Sequence, residues 1–306
     1  MKLNTSVTLP FIDWQLQPND KTIFLGSCFA ENIGSRYPSL QNEALVNPLG
    51  ISFNPYSLLQ QLKGSIHPEL FFEKDKKTVH FQYHGSLFSN SKLELVETIK
   101  SRHLKLTESI QTSKTIFISF GSTWHYVLKS ANEVVSNNHK GHAGLFEKRT
   151  FSFMQLLEIM KEICSIIQSV NSSINIVFTV SPVKYIKDGL TENSRSKALL
   201  LSTVHEVSES VEGVMYFPSY EIVNDELRDY RYYADDMAHP SLIAQEYIFE
   251  KVQECFFSDE LKEKTKGFQK LKRLKKHTTE NLNENQLNEW NTKLKTEENR
   301  FADKWK

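Results

Sequence analysis

A serine at the junction of an apolar strand and a helix, and a histidine three residues after an aspartate, have the types and spacing that could do chemistry. In Phe24-Leu25-Gly26-Ser27-Cys28-Phe29-Ala30-Glu31-Asn32-Ile33-Gly34 the strand ends at Gly26 and a helix is expected straight after it. Ser27 then sits where the first amides of a helix point outward unpaired, so a hydroxyl and an oxyanion donor occur together, as acyl transfer requires. The plainer reading makes Ser27 a helix N-cap. Cys28 competes with it, because a thiolate is the stronger nucleophile and a helix N-terminus lowers a thiol's pKa. Against Cys28, the first residue of a helix that follows a strand usually turns inward.

Far downstream, Tyr232-Tyr233-Ala234-Asp235-Asp236-Met237-Ala238-His239-Pro240-Ser241 offers the partners. A hydroxyl nucleophile needs a base that titrates near neutrality, which histidine supplies, and a carboxylate that holds the imidazole tautomer. Asp236 and His239 can provide both from one loop turn. The plainer reading is a surface turn capped by Asp236 and ended by Pro240. One segment lies at the first strand and the other just before the last core helix, and together they are a stronger signal than either alone.

The elements that would position these groups are an alternation of strands and helices. Short apolar runs at Thr22–Leu25, Thr115–Phe120, Ile174–Val180 and Val214–Phe217 lack polar alternation and suit strands buried on both faces. Leu93–Leu106, Phe153–Val170 and Ser196–Val211 repeat apolar residues at three and four, as helices do. This pattern predicts an α/β domain with a parallel sheet whose loops at the strand C-terminal ends share one rim. Val46–Tyr56 and Asn132–Gly144 read as loops, and Pro240–Phe257 as a core-packing helix. His125, on an expected strand, reads as a packing or rim residue.

The 306 residues are enough for one large domain and an appendage, and 39% hydrophobic with 24% charged residues is a globular composition. A net charge of +0 gives no global field for nucleic acid or acidic membranes. Cys28, Cys164 and Cys255 are few, odd in number and far apart, which argues against a disulfide framework or a zinc site. Met1–Pro10 has no apolar run of signal-peptide length, and no window reaches the roughly 20 apolar residues of a membrane span. The expectation is a soluble, cytoplasmic protein with reduced thiols and no metal or organic cofactor.

Gly-Ser-Cys-Phe-Ala at 26–30 resembles the signature of the GSCFA family, which is similar to the GDSL or SGNH hydrolases. Further matching segments are Asn47-Pro48-Leu49-Gly50-Ile51-Ser52-Phe53-Asn54-Pro55, Phe120-Gly121-Ser122-Thr123-Trp124, Asn137-Asn138-His139-Lys140, Thr179-Val180-Ser181-Pro182-Val183, Tyr216-Phe217-Pro218-Ser219-Tyr220-Glu221 and Asp225 to Ser241. The resemblance covers most of the chain to about residue 257 and implies a three-layer α/β/α flavodoxin-like sheet; the shift to Lys, Glu, Asn and Gln beyond Ser258 sets the boundary between a 1–257 domain and a charged helical extension at 258–306. It also implies a Ser27, Asp236, His239 triad. In SGNH enzymes the oxyanion is held by the nucleophile's amide, a second-block glycine amide and a third-block asparagine. Gly50, or Asn47 beside it, matches the second. Gly121-Ser122-Thr123-Trp124 has no asparagine for the third, which leaves Ser122, Thr123, Asn137, Asn138 and His139 as candidates. Losing one such donor costs about 10²–10³ in kcat.

Arg195, Lys197, Lys184 and Tyr185 follow the fourth strand and could bind a substrate carboxylate or phosphate, or pair with Asp188 and Glu192 in a structural network. The tail carries Lys270, Lys272, Arg273, Lys275 and Lys276, then Trp290 and Trp305. It reads as solvated helices laid on the domain by Phe268, Leu271, Leu274 and Leu287 rather than as a nucleic-acid arm. The function these residues predict is a serine esterase or O-acyltransferase acting through an acyl-serine, and the resemblance implies a small polar or carbohydrate ester as its substrate. The alternative is a binding module on the same scaffold.

Overall fold

The computed structural model describes residues 5–38, 44–275 and 283–305; Met1–Asn4 of the N-terminal stretch and Lys276 of the basic patch lie outside them. The chain runs through β1 (Thr22–Gly26), α1 (Cys28–Gly34), β2 (Ala44–Val46) and α2 (Pro55–Lys63). An antiparallel ribbon of β3 (Phe71–Lys74), β4 (Lys77–His80) and β5 (Phe88–Ser89) leads into α3 (Lys92–Thr112) and β6 (Thr115–Phe120). A second ribbon, β7 (Trp124–Leu128), β8 (Glu133–Val135) and β9 (Phe146–Thr150), precedes α4 (Phe153–Val170) and β10 (Asn175–Val180). Then follow α5 (Leu190–Ser210), β11 (Val214–Tyr216), the short turn α6 (Ser219–Glu221), and the helices α7 (Leu242–Phe256), α8 (Asp259–Lys275) and α9 (Glu284–Lys304).

Five strands pair in parallel in the order β11-β10-β6-β1-β2. This is the flavodoxin-like strand order, with helices on both faces. Strand alternation explains the layers. Ile23, Leu25, Ile116, Ile118, Ile176 and Phe178 face α2 to α5, in one core with Leu59, Ile99, Ile163 and Val204. The intervening Phe24, Phe117 and Val177 face the other way, onto Phe29 and Ile33 of α1 and Ile248 and Phe256 of α7. With both faces covered, these strands lose the polar alternation of a half-exposed sheet.

Two expected loops contain more structure than the sequence suggested. The 46–56 segment gives Val46 to β2 and Pro55 to α2, and the 132–144 segment contains β8. The two ribbons are additions to the layered sheet. In the tail, α8 buries Leu261 against the α1–α7 face, and Leu271 is buried as well. Helix α9 lies on α8 through Phe301 against Phe268, with ion pairs Lys270–Glu297 and Lys304–Glu263. Leu287 is exposed and is not one of the docking contacts. No helix among the described residues is long and apolar enough to cross a membrane.

Candidate active site

Strand β1 and helix α1 meet at a turn that only glycine allows. Gly26 has a φ of +110°, and a Cβ there would lie 2.2 Å from the Ser119 carbonyl oxygen of the neighbouring strand. Asn47, itself left-handed at φ +39°, accepts the Gly26 amide on its side-chain oxygen at 2.9 Å and braces the turn from the β2 side. The next residue, Ser27, is the N-cap of α1, and its hydroxyl accepts the Phe29 amide at 3.3 Å. Capping and availability for chemistry coexist here, because Ser27 also lines a cleft of about 470 Å³ at the strand C-terminal ends. This is the switch point between β1 and β6, where connections leave toward opposite faces of the sheet.

Asp236 and His239 line the same cleft from the loop before α7. Asp236 accepts the amides of Ala238 and His239, each at 2.9 Å, and its second oxygen lies 2.6 Å from His239 Nδ1. Hydrogen bonds from the His239 and Ala238 amides, then from the imidazole, hold the Asp236 carboxyl down at about 2, so it is an anion throughout the physiological range. With Nδ1 engaged, Nε2 is the nitrogen left for a substrate or a nucleophile. Ser27 is 1% exposed, and its Oγ is hydrogen bonded at 2.8 Å to the Ser119 hydroxyl, not to His239. Ser27, Asp236 and His239 therefore share one cleft, while the serine rotamer points to the strand beside it.

The amides near Ser27 are mostly committed. The Ser27 N–H donates to the Ser119 carbonyl at 2.9 Å, Gly50 donates to Asn47, and Gly121 and Ser122 both donate to the Phe53 carbonyl. The Cys28 amide, at the first helical position, has no oxygen acceptor among the described residues. Of the sequence candidates, Ser122 lines the cleft, and its hydroxyl accepts the Trp124 amide. Thr123 is fully buried and bonded to Thr150 and Ser196. Asn137 accepts the His139 amide, and His139 packs its Nε2 3.0 Å from the His80 carbonyl under the first ribbon. Gly50, Asn47, Thr123, Asn137 and His139 are thus absent from the cleft lining. The cleft does contain an asparagine from elsewhere, Asn54. It caps α2 through its oxygen, and its Nδ2 has only a long 3.5 Å contact to the Trp124 carbonyl.

Cys28 also lines the cleft, but burial, then the nearby Glu31 charge, pushes its thiol up, so the helix N-terminus does not produce a thiolate here. Trp124, Tyr126 and Tyr185 form an aromatic wall, with Lys148 lying 5.0, 6.0 and 5.1 Å from the three ring centres and ion-paired to Asp188. His125 is 6% exposed and stacks on Phe151 with centroids 3.8 Å apart; its Nδ1 is buried with no hydrogen-bond partner among the described residues. The sequence offered one clue to this wall: Trp124 and Tyr126 alternate on a short strand and so share a side.

The floor hides a further cation. Lys197 is fully buried and donates to the carbonyls of Gly121 at 2.7 Å and Ser181 at 2.6 Å, the residues that follow β6 and β10. Burial lowers its pKa to about 7. Arg195 turns outward to Glu192, so of the four residues proposed for anion binding only Lys184 and Tyr185 reach the cleft. No group of three or more His, Cys, Asp or Glu side chains suited to a metal comes together among the described residues.

The signature residues, the switch-point cleft and the sheet order coincide with a family assignment. The GSCFA family model matches residues 21–252, and the chain belongs to that family. No curated protein matches the chain.

Proposed function

We propose that this GSCFA protein is a serine esterase or O-acyltransferase in which Ser27 attacks an ester carbonyl and forms an acyl-serine. The observation that carries the reading is the shared cleft: a serine at a helix N-terminus and an imidazole held by a carboxylate line one cavity at the sheet's switch point. His239 Nε2 takes the hydroxyl proton as Ser27 Oγ bonds to the carbonyl carbon, and returns it to the departing alkoxide. Water or a second hydroxyl then opens the acyl-enzyme by the same base. For attack, Ser27 must exchange its bond to Ser119 for one to His239, a side-chain rotation of low cost.

The committed amides direct attention to other oxyanion donors. The Cys28 amide and Asn54 Nδ2 are the groups best suited, the first by having only its own weakly accepting thiol and the second by its long bond. Asn54 thereby stands in for the asparagine missing after Gly121. The aromatic wall suits the apolar faces of a sugar ring or an aryl group. The protein acts in the cytoplasm, with residues 1–257 as the catalytic domain and 258–306 as an extension whose helix α8 packs on the α1–α7 side.

A second reading is favoured by one observation. The Ser27 hydroxyl and amide are both paired with Ser119, which suits a binding module that has lost rapid chemistry. Hydrolysis of short-chain aryl acetates separates the two. The enzyme reading expects turnover that is lost in both Ser27→Ala and His239→Ala; background-level rates in all three proteins, each shown to be folded, would favour the binding module.

A further inference from the structure

The charges around the cleft do not follow those of the whole chain. The molecule carries net charge +0. The fully charged side chains lining the cleft are Lys148, Lys184, Lys187 and Asp236. Asp236 is satisfied by its own loop and His239, and Lys148 is neutralised by Asp188. Lys184 and Lys187 have no carboxylate partner among the described residues. They come from a run of five consecutive lining residues, 183–187, that follows β10.

Lys184 is held in place. Its amide donates to the Ala238 carbonyl at 2.9 Å, which fastens it to the residue before His239. Its ammonium sits 3.9 Å from the Tyr233 ring centre and 5.0 Å from that of Tyr230. Partial burial lowers its pKa, the mark of a cation short of solvent. Ring faces orient an ammonium but leave its N–H donors unsatisfied, whereas an anion would satisfy them. A concave site with apolar walls and uncompensated cations concentrates field on its contents.

We propose that the cleft selects an ester bearing an anionic group, a carboxylate or a phosphate, bound by Lys184 and Lys187 while the ester bond lies between Ser27 and His239. That the anion is carried by an ester rests on the acyl-serine reading; anion binding by the two lysines stands without it.

The test uses the full chain and three probes: phenyl acetate, meta-acetoxybenzoate and meta-acetoxyphenyl phosphate. At low salt the charged esters should show kcat/KM about tenfold above phenyl acetate, and the preference should collapse in Lys184→Gln/Lys187→Gln and at high salt. The charged ester with the larger gain identifies carboxylate or phosphate as the recognised group. In parallel, ligand-observed NMR on Ser27→Ala should detect binding of both charged probes, weakened in the same lysine background. Lys187→Glu, an exposed change, should reverse the preference and serves where the double variant does not fold. Binding without turnover by the wild-type chain would remove the acyl-serine reading and keep the anion site. Equal kcat/KM for the three esters, or binding of the charged probes that is indifferent to Lys187→Glu, would overturn the proposal.

Discussion

The Ser27 hydroxyl is shared between two demands. It caps α1 and pairs with Ser119, yet it lies on the cleft that holds His239. A hydrogen bond of this kind contributes about 0.5–1.5 kcal/mol, so freeing the hydroxyl by Ser119→Ala should raise the rate of Ser27 acylation about 2- to 10-fold, read from the burst phase of an aryl ester. A fall would mean that Ser119 aligns the nucleophile. Asn54→Ser separates cap from donor, because serine keeps an acceptor for the Ser57 amide while Nδ2 is lost. The expected result is kcat lower by about 10²–10³ with little change in melting temperature. That Ser27, Asp236 and His239 come together in one cleft was legible because a serine at a strand–helix junction and a histidine next to an aspartate are recognisable types in recognisable contexts. The oxyanion donors were not, since an amide's availability depends on which carbonyl faces it across the fold. Gly50 and Ser27 each meet one.

At the scale of elements, the ends of β6 and β10 are tied together beneath the cleft by Lys197. A folded pKa of about 7 against an ordinary 10.5 means that the unfolded chain binds more protons between those values. Stability from this group therefore rises with pH from about 7 to about 10.5, and falls to a plateau below. Lys197→Met should flatten that slope, measured as the difference in urea midpoint between wild type and variant across neutral to alkaline pH. Gly26→Ala should cost several kcal/mol, on the order of 3 or more, because the new methyl meets the Ser119 carbonyl and the φ is unsuited to alanine. Four of the five parallel strands, β1, β6, β10 and the edge strand β11, and the long helices were evident in the sequence because apolar runs and one buried stripe leave a trace in it. The ribbons β3–β5 and β7–β9 were not, since strands of two to five residues are too short for a period and take their register from tertiary pairing. The aromatic wall went unread for the same reason.

The whole molecule separates chemistry from support. The cleft lining ends at His239, whereas α8 and α9 sit on the α1–α7 side, where Leu261 is fully buried with Phe249 and Phe257. Helices α8 and α9 thus contribute no lining residue to the cleft. Leu261→Ala should lower stability by about 2–4 kcal/mol in urea unfolding and leave the acylation rate of the folded fraction unchanged.

The most direct test of the central claim is covalent labelling of the purified chain with a fluorophosphonate, located by peptide mass spectrometry. An activated serine predicts a single adduct on Ser27 that disappears in His239→Ala and slows in Asp236→Asn. Absence of the Ser27 adduct in folded protein, or labelling that persists without His239, would contradict it.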